Sequence, residues 1–547
     1  MARLRLVVIG AVCVLALLAL PASAARQLDG PAGLSSVRPE ALEDIRHLAI
    51  LHNGRLKPLD SFARETLRLI TGSPRLGRQD PVATLLSIGV SPSEWVEAKV
   101  IAVPFGPLRQ QLGVDERTAY VSYNELVSTR KLMRMLPAIV AKEQRDEKLT
   151  WLEHETMDLY NRFVAFTQLL QQDLPLVPPT ETSAQDWIPI TQSPLRATWD
   201  SLGASFSQGD AGQVKARAEE FAAGLRRVNP HGYPAAWRLQ LEVLYNRADP
   251  FAIARLLYGV SVVLLLLGLS GTRQHLNAIG MGVFVAAAIL HVLGILIRVI
   301  VGGRPPVSNF YETMLWLPFV TVMLALVFER IYRVQIFALA AAVLAGITLL
   351  LADVVPLDPS ISPVVAVLRS NLWLTIHVLT IVASYGALAL ATVLAHLYGV
   401  LFLTRRGHHP ALASMETFLY RAIQVGVVLL AGGIMLGAVW ANASWGRYWG
   451  WDPKETWALI TLLWFVAVLH GRLAGWLKGI GIALSTIGGF FLLLMTYYGV
   501  SFYLVGLHSY AGGHAKPLPP LLIAYLIAEA VFMAVVGFAA IVRRRLA

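Results

Sequence analysis

The stretch AIARLLYGVSVVLLLLGLSG (Ala252–Gly271) carries a single charge, Arg255, in twenty residues. As a helix it rises about 30 Å, the thickness of a hydrocarbon core. Working outward toward the C-terminus, eight further apolar runs follow with short polar breaks, at 276–297, 313–328, 335–355, 372–403, 422–445, 457–477, 480–504 and 521–542. A water-soluble core cannot absorb so many long runs. In lipid every backbone polar group must be satisfied internally, which helices achieve. The expected fold class is therefore an all-α polytopic membrane protein of about nine transmembrane helices, preceded by an N-terminal exported, mainly α-helical domain.

Working back from Ala252, residues 25–250 intersperse charges and read as water-soluble, so the average of 56% hydrophobic and 15% charged residues over 547 positions hides two unlike halves. Lys142–Gln171 and Gly212–Val228 have helical composition, and prolines at Pro175–Pro179 and Pro230 punctuate the region. It holds no phosphate loop, hydrolase elbow or metal-spaced histidine pair. The extreme N-terminus has Arg3 and Arg5, an apolar core Leu6–Leu20, and Ala22-Ser23-Ala24. That pattern predicts a signal peptide cleaved after residue 24, in preference to an anchor helix. The expected divisions are 1–24, an exported domain 25–250, and a transmembrane domain 251–547. The sole cysteine, Cys13, falls in the leader, so a mature chain has no thiol for catalysis, disulfides or metal.

The net charge of +11 does not call for nucleic acid, because much of it sits in short loops between apolar runs. With the first domain exported, the cytoplasmic segments hold eleven cations (Arg273, Arg330, Arg333, Arg405, Arg406, Arg421, Arg472, Lys478 and Arg543–Arg545). The opposite loops hold six: Arg298, Arg304, Arg369, Arg447, Lys454 and Lys516. The asymmetry runs in the positive-inside direction and puts the C-terminus in the cytoplasm.

The loop after the sixth run reads Trp445-Gly446-Arg447-Tyr448-Trp449-Gly450-Trp451-Asp452-Pro453-Lys454-Glu455-Thr456-Trp457, with four of the chain's 14 tryptophans in 13 residues. An interfacial aromatic belt spreads its rings over many helix ends. Two glycines and an Asp-Pro turn instead fold these rings together, as a platform for a large, flat, apolar ligand.

This string resembles the tryptophan-rich WWD signature of haem-handling proteins, and its DPKETW ending resembles the CcsA (ResC) family of system II cytochrome c maturation. Pro306-Val307-Ser308-Asn309-Phe310-Tyr311-Glu312 is similar to the family's P-x-S-N-x-Y-E segment. Ser370-Asn371-Leu372-Trp373 leading to His377, and Gly506-Leu507-His508-Ser509-Tyr510, extend the likeness over roughly residues 250–515. His52-Asn53-Gly54-Arg55-Leu56-Lys57-Pro58-Leu59-Asp60 with Ala63-Arg64-Glu65, and Leu244-Tyr245-Asn246 to Pro250-Phe251, are similar to the segment joining the halves of fused CcsBA proteins.

His377 and His508 lie at the outer ends of their spans, level with the tryptophan loop. Two neutral imidazoles there can ligate a haem iron axially while Trp445, Trp449, Trp451, Asp452 and Trp457 line its rim. The resemblance assigns the same two positions to external haem. His470 lies deep in the seventh span and matches the family's intramembrane histidine, implicated in carrying haem across; its second ligand is expected from a ResB (CcsB)-like subunit. His291 is either a further haem ligand or a buried hydrogen-bonding group. His396, His408 and His409 read as structural or solvated. Arg298, Arg304, Arg447 and Lys454 suit haem propionates or lipid headgroups.

The resemblance implies a subunit of a cytochrome c synthase in the bacterial inner membrane, with haem b as substrate or cofactor. It would present haem for thioether attachment to the Cys-x-x-Cys-His motif of exported apocytochrome c, together with the ResB-like partner. The alternative is a haem exporter or chaperone serving a separate ligase. A quinone-reactive haem protein fits less well, because such subunits bury their histidine pairs within the bilayer.

Overall fold

The computed structural model describes residues 37–115, 117–145, 147–180, 186–268, 275–355, 357–363, 371–404, 411–508 and 518–546. The leader reading of residues 1–24, with Cys13, lies outside them. So do Arg273, Arg369, Ser370, Arg405, Arg406, His408, His409, Ser509, Tyr510 and Lys516. The chain divides into two compact units, one containing Asp249–Pro359 and Val364–Ala547, the other containing the described residues 37–248 with Ser360–Pro363.

In the first unit, nine helices among the described residues are long and apolar enough to cross a membrane. In chain order they are Pro250–Gly268, His275–Gly302, Phe310–Tyr332, Ile336–Val354, Asn371–Thr404, Ala411–Trp445, Pro453–Leu473, Ile480–Leu494 continued to Tyr503, and Pro520–Leu546. The chain is thus an all-α polytopic membrane protein. The eighth helix widens into a π-helical turn at Met495–Gly499.

Several helices depart from their apolar runs for identifiable reasons. The third is longer than 313–328 because charges at both its ends are satisfied. Asn309 Oδ1 accepts the Glu312 N–H at 2.8 Å, and the Glu312 carboxylate accepts from Arg298 at 2.9 Å and Arg304 at 2.6 Å. At the other end Glu329 accepts the backbone N–H groups of Gln335, Phe337 and Ala338 that start the fourth helix. The sixth begins at Ala411, ahead of its apolar run. The seventh begins at Pro453, four residues before its apolar run, because Asp452 caps it. It stops at Leu473, where left-handed Gly475 (φ 76°) turns the chain so that the Trp476 and Leu477 N–H groups bond Gly471 O.

The fifth and sixth helices approach closely through a stripe of glycines. A Cβ at Gly426 would lie 2.5 Å from Leu388, at Gly433 2.7 Å from Ile381, and at Gly437 2.6 Å from His377. Small residues at such faces let apolar backbones meet where no hydrophobic force drives them together.

The second unit packs helices Leu59–Thr71, Pro81–Val90, Trp151–Leu170, Arg196–Ser207 and Ala211–Val228 around Trp95, Phe166, Trp199, Phe206 and Phe221. Lys142–Gln171 is not one helix: Lys131–Gln144 ends, and Trp151–Leu170 starts afresh from Thr150, which forms a reciprocal cap with Glu153. A hairpin pairs Ala49–His52 with Arg55–Pro58 around Asn53 and Gly54, both at positive φ. Buried charges tie this hairpin to its surroundings. Arg55 meets Glu242 in a two-pronged pair at 2.7 Å. Arg46 bridges Asp60 and Asp80 at 3.2 and 2.5 Å, and Asn246 donates to Asp60 and Ser61.

Candidate functional site

The start of the seventh helix organises the site. Pro453 sits at its first turn, and Asp452 Oδ2 accepts the Lys454 N–H at 2.9 Å while Glu455 accepts back from the Asp452 N–H at 3.2 Å and the Gly450 N–H at 2.8 Å. The DPKE sequence is therefore a capping box that also folds the tryptophan loop onto its helix. The chain reaches that cap through two left-handed residues, Gly446 (φ 72°) and Trp451 (φ 55°). For a tryptophan this conformation costs on the order of 1 kcal/mol, offset by the cap it permits.

Asp452 also reaches across to the turn after the eighth helix. Its Oδ1 accepts the Leu507 N–H at 2.7 Å, and its Oδ2 accepts from His508 Nδ1 at 2.9 Å. A Cβ at Gly506 would lie 2.5 Å from Asp452 Oδ1, so the glycine permits the approach. Burial pushes the Asp452 carboxyl up, but the His508 hydrogen bond and charge, with the two backbone donors, bring it below the ordinary aspartate range.

His377, near the start of the fifth helix, has its Nδ1 2.9 Å from Gly433 O. A carbonyl can only accept, so Nδ1 carries the proton and the Nε2 lone pair is left for a ligand. The carboxylate imposes the same tautomer on His508. Trp440 lies close to both: its ring is nearly parallel to His377 at 6.2 Å (12°) and 6.1 Å from His508. Trp445 meets Trp440 edge-on at 4.8 Å and His508 at 5.8 Å.

His377, His508, Trp440 and Trp445 line one cleft with Trp449, Phe310 and Tyr497. Phe310 stacks on Tyr497 at 4.8 Å, and the Tyr497 hydroxyl shares a 2.8 Å hydrogen bond with Thr313. The P-x-S-N-x-Y-E segment thus supplies one wall. Trp440 is buried, and its indole N–H has no hydrogen-bond partner among the described residues. The cleft offers two imidazole lone pairs, flat aromatic walls and an unsatisfied donor, a set that fits an iron porphyrin with its carboxylate tails.

Lys454 also lines this cleft, and the remaining expected residues are not among its walls. Trp451 is 71% exposed and packs edge-on against Trp449 at 5.8 Å; Trp457 is within the seventh helix, its carbonyl accepting from Thr461 and Thr496. His470 is exposed in that helix's last turn, about 26 Å along the axis from Pro453, with Nδ1 2.8 Å from Val466 O. His291 is fully buried, with Nε2 3.0 Å from Leu315 O and Nδ1 3.4 Å from the Tyr258 hydroxyl. Arg298 and Arg304 bind Glu312, and Lys454 donates to Ser501 Oγ at 2.7 Å. His396 pairs with Glu529 at 2.9 Å. Trp440 and Tyr497 are cleft residues that sequence reasoning missed.

Helical membrane bundles that open an aromatic, two-histidine cleft at their helix ends form a class suited to carrying a flat metal complex. Comparison with known proteins gives that class its family. The model of the family described as Cytochrome C assembly protein matches residues 307–508. The CcsA cytochrome c biogenesis protein of Chlamydomonas reinhardtii is 35% identical over 260 residues, covering 45% of this chain and 72% of that protein. CcsA of Guillardia theta is 33% identical over 296 residues, 49% of this chain and 96% of that protein. Protein NrfI of Wolinella succinogenes is 30% identical over 501 residues, 85% of this chain; the chain spans about half of NrfI's length (54%). The chain belongs to the CcsA family of cytochrome c biogenesis proteins.

Proposed function

We propose that this chain is the haem-presenting subunit of a cytochrome c synthase of the bacterial inner membrane. In this reading the tryptophan loop and the unit up to Ala248 face outward, and haem b is the substrate held in the cleft. The observation that carries it is the pair His377 and His508, each with Nδ1 committed to a fixed acceptor and Nε2 left for iron, in one cleft beside Trp440. His470, at the far end of the seventh helix, receives haem from the cytoplasmic side with a second ligand from a ResB (CcsB)-like partner. Membrane lipid surrounds the remaining apolar faces.

The chemistry at the outer site is thioether formation between haem vinyl groups and the thiols of an exported apocytochrome c. The chain's contribution is to hold the haem edge in one orientation, exclude water with aromatic walls and keep both axial positions filled, which gives the reacting thiols a high effective concentration. The test co-produces the full chain, a ResB-like partner and an apocytochrome reporter in cells lacking other maturation systems. Covalent haem on the reporter, lost in His377→Ala and in His508→Ala, is the expected result. Haem held in the membrane with none attached to the reporter would instead establish a carrier and overturn the synthase reading.

A further inference from the structure

We infer that the two axial histidines are unequal: His508 is the retained ligand, and His377 is the one that yields its position to an incoming imidazole. The inference rests on the two-histidine reading above. Both rings donate from Nδ1 over the same 2.9 Å, but His377 donates to the neutral carbonyl of Gly433 and His508 to a carboxylate. A carboxylate acceptor draws the N–H proton toward itself and raises electron density at Nε2. Hydrogen bonds to ionised acceptors are roughly twice as strong as neutral ones, and such outer partners change metal affinity by about 10- to 100-fold.

The structure holds that carboxylate in place. The Asp452 side chain is only 4% exposed, it accepts the Leu507 and Lys454 N–H groups as well as His508, and it sits at a helix N-terminus, where an anion is favoured. Asp452 therefore grips the His508 turn by both backbone and ring. Around His377 the described contacts are Gly433 O, the bare face of Gly437 and the Trp440 ring. Glu455, which also lines the cleft, is committed to the Gly450 and Asp452 N–H groups. Exchange at His377 breaks one iron–imidazole bond and forms another between neutral nitrogens, so it consumes neither electron nor proton. It would let a histidine from a substrate chain coordinate one face while the site keeps hold of the other.

The experiment uses the full chain purified with its partner in the haem-loaded state. Carbon monoxide added to the reduced protein takes the weaker axial position, and the Fe–CO stretch in resonance Raman spectra reports the ligand opposite. Asp452→Asn keeps a capping side chain but removes the charge; it should shift that stretch toward the value of a neutrally bonded imidazole and raise the reduction potential. In parallel, His377→Gly should weaken haem retention in a way that added imidazole restores, and should still hold at least ten-fold more haem than His508→Gly. Haem bound in Asp452→Asn with an unchanged Fe–CO stretch and potential would overturn the inference, as would His377→Gly losing haem as fully as His508→Gly. Both of those outcomes leave the two-histidine site standing. An absence of haem from the unmodified protein removes that site and the inference together.

Discussion

Adding one methyl group at Gly437 tests the site with little disturbance elsewhere. A Cβ there would lie 2.6 Å from His377 Cε1, 3.0 Å from Nδ1 and 3.3 Å from Nε2. Ordinary contact needs 3.4 Å or more, so the ring must retreat by about 1 Å, enough to break its 2.9 Å bond to Gly433 O. Overpacking of this kind costs about 1–3 kcal/mol and the hydrogen bond about 1 kcal/mol. Even about 2 kcal/mol corresponds to roughly 30-fold weaker haem retention. The helix itself does not suffer, since alanine favours a helix interior over glycine by about 1 kcal/mol. Gly432 supplies the control, because nothing lies within 4 Å of a Cβ built there. The assay compares the Soret-to-protein ratio of Gly437→Ala and Gly432→Ala after purification with the partner, then the rate of haem capture by apomyoglobin. Equal ratios and equal rates would refute the packing argument.

Glu312→Gln leaves Arg298 and Arg304 buried without their carboxylate; loss of a buried pair costs about 3–5 kcal/mol, so the detergent-solubilised protein should melt roughly 5 °C lower. An unchanged melt would mean that the two guanidinium groups are neutralised elsewhere. Trp440→Phe keeps an aromatic ring, loses no internal hydrogen bond, and should reduce haem retention several-fold with little change in melting; full retention would show that the indole N–H meets no ligand oxygen. The Lys142 side chain, helped by the Thr150 N–H, holds the Glu153 carboxyl down to about 2 from 4.5. Its folded value is the lower one, so its contribution is complete above about pH 4.5 and lost as pH falls toward 2. Glu153→Gln should therefore melt lower than the parent at pH 7, by about 1 kcal/mol at most, and the two should converge near pH 2; a gap of constant size at all pH values would count against this.

The membrane helices were legible because length and apolarity are read one residue at a time. Their ends were less so. Pro453 and Phe310 begin helices because Asp452 and Asn309 cap them, each with a glutamate three residues on, a local signal that their apolar runs alone do not carry; the neutralisation of Glu312 from another helix is what no local pattern announces. The tryptophan loop and both outer histidines stood out by composition and position, and the structure brings Trp445, Trp449, His377 and His508 into one cleft. Trp440, Gly433 and Gly437 did not, because inside a long apolar run they look like any other lipid-embedded turn; their place on the cleft-facing side emerges from packing against the fifth helix. In the other unit, Asn53-Gly54 between apolar residues was a readable hairpin signal. The break before Thr150 was also readable, as a Thr-x-x-Glu cap hidden in a run of charged, helix-favouring residues.

Because a single carboxylate both starts the seventh helix and clasps the His508 turn, two chain segments 56 residues apart share one anchor point. Extra residues inserted between Gly446 and Trp449 can bulge outward without shifting the imidazole, whose position is referenced to Asp452 and not to the loop. Deleting one residue between Tyr503 and Gly506 would drag the ring about 3.5 Å along the chain and off its anchor. Natural length variation is therefore tolerable on the first side and forbidden on the second.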